Sequence, residues 1–295
     1  MSKRNQSFGS ILSYRADIDG LRALAVLSVI LFHISSSLLP GGYIGVDIFF
    51  VISGYLITLH ILNEIRKGTF ALADFYSRRI KRILPALYVV IVFTVIISQI
   101  LLRPTDAERA AESGFWSVLS LANVYFWQYT DLGYFATASN EKPLLHLWSL
   151  GVEEQFYVIW SLLLVAMAKL SKGKGLFGLT LLLAALSFVF CEYIYGVSQS
   201  FSYYMLPTRG GELLVGALLA ISQLKLGTVK LTKASALVLA GLGLLFIVLS
   251  FLWLSEDSRF PGISALPVTL GTALLIYSGT GGPTFFHRLM MLKLF

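Results

Sequence analysis

The chain has 295 residues, of which 56% are hydrophobic, 14% aromatic and only 13% charged, with a formal net charge of +7. A soluble domain carries about 25% charged residues, so no water-soluble fold of this length hides so much apolar surface. Disorder is excluded by the same composition, and a disulfide framework by Cys191 being the single cysteine. The reading is an all-α, polytopic membrane helix bundle, in which the basic excess bears on loop sidedness and not on nucleic acid.

A helix that crosses the bilayer needs about 20 mostly apolar residues. That rule predicts spans over residues 21–39, 46–62, 83–102, 147–168, 177–196, 211–224, 234–254 and 264–280, with 211–224 short for the task. Residues 114–130 carry six aromatics (Phe115, Trp116, Tyr125, Phe126, Trp127, Tyr129) together with Asn123 and Gln128. This suits a re-entrant or interfacial segment better than a lipid-facing helix. Loop charge agrees. With no net crossing there, both termini and the segments 63–82, 169–176 and 225–233 share one side and hold 17 of the 23 Lys+Arg. The positive-inside rule makes that side cytoplasmic, giving eight net spans. The first span is not a cleavable signal, because it holds Arg22 and His33 and a second apolar segment follows a tight Pro40-Gly41-Gly42 turn. No repeat or linker divides the chain, and residues 1–295 read as one membrane domain.

Ionisable groups inside spans are costly and mark candidate sites. Arg22 and His33 are 11 residues apart, about 20° beyond three helical turns, so they share one helix face at an axial offset of about 16 Å. Arg22 then sits at the cytoplasmic edge and His33 near mid-bilayer. The pair suits a phosphorylated cofactor reaching a general base, or equally a snorkelling arginine and a histidine bonded to a neighbouring helix. Asp47 opens the second span, either facing His33 and fixing its tautomer or capping its own helix. His146 and Glu153 are seven apart on one helix face with Ser149 between them. Glu153, Glu154 and Gln155 cannot all face lipid. Arg209 and Glu212 begin the short span at i, i+3, a spacing at which they can pair. The four histidines (33, 60, 146, 287) show no metal-ligand spacing, so no metal is expected. Walker-type, dinucleotide-binding and nucleophile-elbow motifs do not occur.

Three stretches resemble the acyltransferase-3 family of integral membrane acyltransferases, of the O-antigen and exopolysaccharide O-acetylase type. They are residues 14–26 followed by His33, an Arg-x10-His pattern; residues 42–57; and residues 143–157. A weaker fourth is Arg209-x2-Glu212-Leu213-Leu214-x-Gly216. The resemblance implies transfer of an acetyl group from cytoplasmic acetyl-CoA to a hydroxyl of a cell-surface or lipid-linked sugar. The setting it implies is a bacterial inner membrane, with the N-terminus cytoplasmic.

On that reading His33 is the catalytic histidine, oriented by Asp47, and either deprotonates the acceptor or carries the acetyl transiently. Arg22, Arg78, Arg79 and Arg82 hold the CoA phosphates, for which guanidinium groups are suited. His146, Trp148, Glu153, Glu154, Arg209 and Glu212 belong to an acceptor-sugar pocket on the outer side. Family members of this type have about ten spans, so the expectation is a domain lacking its last two helices. The alternatives are a transporter or flippase of a lipid-linked saccharide, which should show inverted repeats, and an inactive truncated scaffold.

Overall fold

The computed structural model describes residues 14–129, 134–135, 142–171, 173–226, 231–281 and 284–290. Among these no strand occurs. The helices are α1 (Ala16–Ile34), α2 (Gly45–Lys67), α3 (Leu72–Leu101), α4 (Pro104–Val118), α5 (Ala122–Tyr129), α6 (Leu147–Ser171), α7 (Leu176–Tyr195), α8 (Gln199–Tyr204), α9 (Leu206–Leu226), α10 (Lys233–Trp253), α11 (Leu266–Ser278) and α12 (Phe285–Met290). Five among the described residues, α2, α3, α6, α7 and α10, are long and apolar enough to cross a membrane. The fold is an all-helical membrane bundle. Of the residues used to read topology, Lys3, Arg4, Thr130, Lys172, Lys230 and Lys293 lie outside the described ones.

Each predicted span falls on a helix, but boundaries move; the third helix begins at Leu72, eleven residues before the predicted start, because its first turns are polar and basic. The first helix begins at Ala16 and ends at Ile34, five residues earlier than expected at both ends. Asp17 and Asp19 in its first turn favour a helix N-terminus, where backbone N–H groups and the dipole attract negative charge. The extended Ser35 stops it, the first of three serines whose hydroxyls compete for the backbone. His33 therefore sits in the last turn of α1 and not at its middle. The sixth predicted span is not short: α9 has 21 residues, starting just before Pro207, whose missing N–H has no intrahelical partner to lose there. The 114–130 segment, expected to be re-entrant or interfacial, takes in the end of α4 and the whole of α5. Ser120 adopts a left-handed φ of 58°, breaking the backbone between α4 and α5.

The chain folds as two compact units: Met1–His60, Lys174–Leu186 and Gly211–Phe295 in the first, Ile61–Gly173 and Ser187–Gly210 in the second. In the first, α2 and α9 approach backbone to backbone. A Cβ on Gly54 would lie 2.6 Å from the Leu213 carbonyl carbon, and one on Gly216 would lie 2.7 Å from the Tyr55 nitrogen. Gly243 of α10 and Gly271 of α11 meet in the same way. Small residues permit this closeness, and in a bilayer van der Waals packing supplies what the hydrophobic effect cannot.

In the second unit α3 and α6 run antiparallel, Tyr76 meeting Ser161 (Oη to Oγ 2.7 Å) and Arg79 meeting Glu154 further along. The α4–α5 break is fixed on α6 by a reciprocal amide pair. Gln155 Nε2 donates to Asn123 Oδ1 at 2.7 Å and to the Ser120 carbonyl at 3.0 Å, and Asn123 Nδ2 donates back at 3.3 Å. Gly151 makes room, since a Cβ there would stand 2.8 Å from Asn123 Oδ1.

Candidate active site

In the first unit, His33 is exposed in the final turn of α1, with Nδ1 2.8 Å from the Val29 carbonyl oxygen. A carbonyl only accepts, so Nδ1 carries the proton and Nε2 is the basic nitrogen. The ring is thus held from its own helix through Val29, and Asp47, expected to orient it, is fully buried near the start of α2. Arg22 is part-buried and bonds Asp19 one turn back, Nη1 to Oδ1 3.2 Å. Glu212, on α9, is buried.

In the second unit, the arginines assigned to phosphate differ among themselves. Arg78 donates from Nη2 to both oxygens of Glu64 at 3.1 Å. Arg79 lies with its guanidinium carbon 3.6 Å from the centroid of the Tyr157 ring and donates to Glu154 at 3.1 Å. Tyr157 in turn donates to Glu153 Oε2 at 2.9 Å. Arg82 is exposed. Two carboxylates expected in an outer acceptor pocket and an arginine expected at the cytoplasmic face therefore occupy one level. The reason is geometric: Arg79 lies seven residues, about 10 Å, inside α3, and α6 runs antiparallel beside it. Arg79, expected at the CoA phosphates, and Glu154, expected at the acceptor sugar, are paired with one another here.

His146 stands in the turn immediately before α6, exposed, and Ser149 Oγ donates to its carbonyl. Trp148 and Arg209 are buried together, the guanidinium carbon 5.5 Å from the indole centroid and 5.4 Å from that of Tyr203. Tyr134 stacks on Tyr203 at 4.4 Å. This aromatic packing suits a buried arginine through cation–π attraction.

One polar cluster went unread in the sequence. Arg15 grips Asp17 with two bonds (Nε–Oδ1 2.7 Å, Nη2–Oδ2 2.6 Å) and also donates to the Ile276 carbonyl at 3.0 Å. Asp17 Oδ2 lies 3.8 Å from Nε2 of the buried His287. Only the Arg-x-Asp spacing could have signalled the pair; nothing in the pattern foretold His287, some 270 residues away.

These features define a multi-pass helical membrane protein with a tautomer-fixed histidine at the end of its first helix. The chain matches the family model described as "Acyltransferase domain" over residues 15–295, and it belongs to that family. It is 41% identical over 211 residues to the peptidoglycan O-acetyltransferase OatA of Listeria monocytogenes, covering 70% of this chain and 34% of that protein. It is 38% identical over 239 residues to an uncharacterized protein of Haemophilus influenzae, covering 79% of this chain and 97% of that one. The chain thus spans about a third of the length of the Listeria relative. No solved structure matches it.

Proposed function

We propose that this chain is a membrane O-acyltransferase that moves an acetyl group from acetyl-CoA to a hydroxyl of a cell-surface glycan. Family membership supports the reaction class, and the Listeria relative's name points to peptidoglycan as the first acceptor to try, ahead of O-antigen or a lipid-linked sugar. The observation that carries the residue assignment is the Nδ1–Val29 bond, which leaves His33 with its basic nitrogen directed away from the helix backbone.

His33 takes the proton of the acceptor hydroxyl as it attacks the thioester, or first takes the acetyl itself and then yields it to the sugar. In either case CoA leaves as the thiol. Arg22, part-exposed on the same helix and paired with Asp19 at i,i+3, is the group for the donor's phosphates. Purified protein in lipid nanodiscs, given radiolabelled acetyl-CoA and muropeptide or polysaccharide acceptors, tests the reading. Acetyl should appear on the glycan with wild type and not with His33→Ala. Full transfer by His33→Ala refutes the assignment.

A further inference from the structure

The Arg15–Asp17–His287 cluster lies outside the residues assigned to transfer, yet it ties three distant pieces of chain. Asp17 is in the first turn of α1, Ile276 and Ser278 are in the last turns of α11, and His287 is in α12. The imidazole is fixed on both edges. Its Nδ1 accepts from the Thr284 N–H at 3.3 Å and sits 2.7 Å from Thr284 Oγ1, as in a capping box with histidine at the third position. Its Nε2 must then carry the proton, which it directs at the Leu275 carbonyl (3.1 Å), with Ser278 Oγ at 3.3 Å. Gly279 lies beneath the assembly. A Cβ there would run into Arg15 Nη2, would stand 2.6 Å from Asp17 Oδ2 and would stand 3.1 Å from His287 Nε2. The backbone at Gly279 is ordinary αR, so the glycine is needed for space and not for conformation.

The three groups are mostly withdrawn from solvent: 17% of the Arg15 side chain and 10% of that of Asp17 remain exposed, and 2% of His287. Groups so placed hold a defined geometry, because displacement leaves them uncompensated. Arg22 follows Asp17 by five residues on the same helix, and His33 follows Arg22 by three turns. A helix is stiff along its axis, so what fixes the rotation and depth of its first turn also fixes the other two side chains.

We infer that Arg15, Asp17 and His287 form a clasp from α12 and α11 onto α1, and that these three are positioning residues that set where Arg22 and His33 stand. The inference rests on the role given to His33 above, but its structural half can be read without any chemistry. A H33C variant in a C191S background carries one thiol at the reporter position, and its rate of maleimide alkylation reports the setting of α1. Adding H287L or G279A should change that rate several-fold at a temperature well below unfolding. H287Q, which keeps a donor for the Leu275 carbonyl, should restore it.

In the chain with His33 intact, H287L and G279A should lower kcat about 10- to 100-fold, the scale for misplacing a catalytic group, with a smaller change in KM for acetyl-CoA. D17N replaces any variant that does not fold. Unchanged alkylation in folded H287L, G279A and D17N overturns the clasp. Altered alkylation with no effect of these variants on kcat, or with transfer surviving in H33A, leaves the clasp standing and removes its link to His33.

Discussion

The Arg79–Glu154 pair allows a quantitative test of how ionic contacts are used inside this bundle. Both side chains are about four-fifths buried, at 20% and 22% exposure, and the guanidinium is also stacked on Tyr157. An exposed pair contributes at most about 1 kcal/mol, whereas removing one partner from a fully buried pair costs about 3–5 kcal/mol. At this depth a coupling of about 2 kcal/mol is expected, or roughly 30-fold in the unfolding equilibrium. The measurement is a double-mutant cycle of Glu154→Gln, Arg79→Gln and the double variant, by reversible unfolding in mixed micelles. Each single change should be the more damaging in the presence of the intact partner, because it strands a charge. A coupling under about 0.5 kcal/mol, or one abolished at about 1 M salt as for surface charges, would show that the pair is incidental.

Three further outcomes follow from the packing. Gly54→Ala and Gly216→Ala should each cost at least about 1–3 kcal/mol through overpacking at the α2–α9 crossing, seen as lower thermal midpoints in detergent. Gly178→Ala, where an added Cβ meets nothing within 4 Å, should be neutral or gain about 0.5–1 kcal/mol of helix propensity. Gln155→Leu strands the Ser120 carbonyl and the Asn123 amide and should cost about 1–3 kcal/mol, with faster protease cleavage near residue 120.

The helices were legible because apolar runs of bilayer length leave few other folds, and each predicted span does fall on one. Ends were harder to place. The first turn of α1 is polar, so a hydropathy reading starts it at Leu21, although Asp17 and Asp19 belong to the helix. The start of α9 hides behind Pro207 for a similar reason. Within the site, His33 and Arg22 were visible as ionisable groups on one face, a property of local periodicity. Partners were not visible, since nothing local tells Arg79 that it meets Glu154 75 residues on, or His33 that a carbonyl of its own helix holds its ring. Helical spacing also placed His146 on α6, whereas it stands one residue before that helix begins.

Helix α3 has one more consequence. Its 30 residues extend about 45 Å, against a hydrocarbon core of about 30 Å. Contacts with α6 fasten it near Tyr76 and Arg79, while Val89, Val92, Phe93, Ile96 and Ile100 beyond them are exposed. From Arg79 to Leu101 the helix is an arm of about 33 Å, with α4 folded back along it. Thinning of the surrounding lipid is accommodated most cheaply by tilting such an arm, and a lean of about 10° swings its far end by about 6 Å over that length. Tilt of α3 is thus one way in which its length is matched to the bilayer.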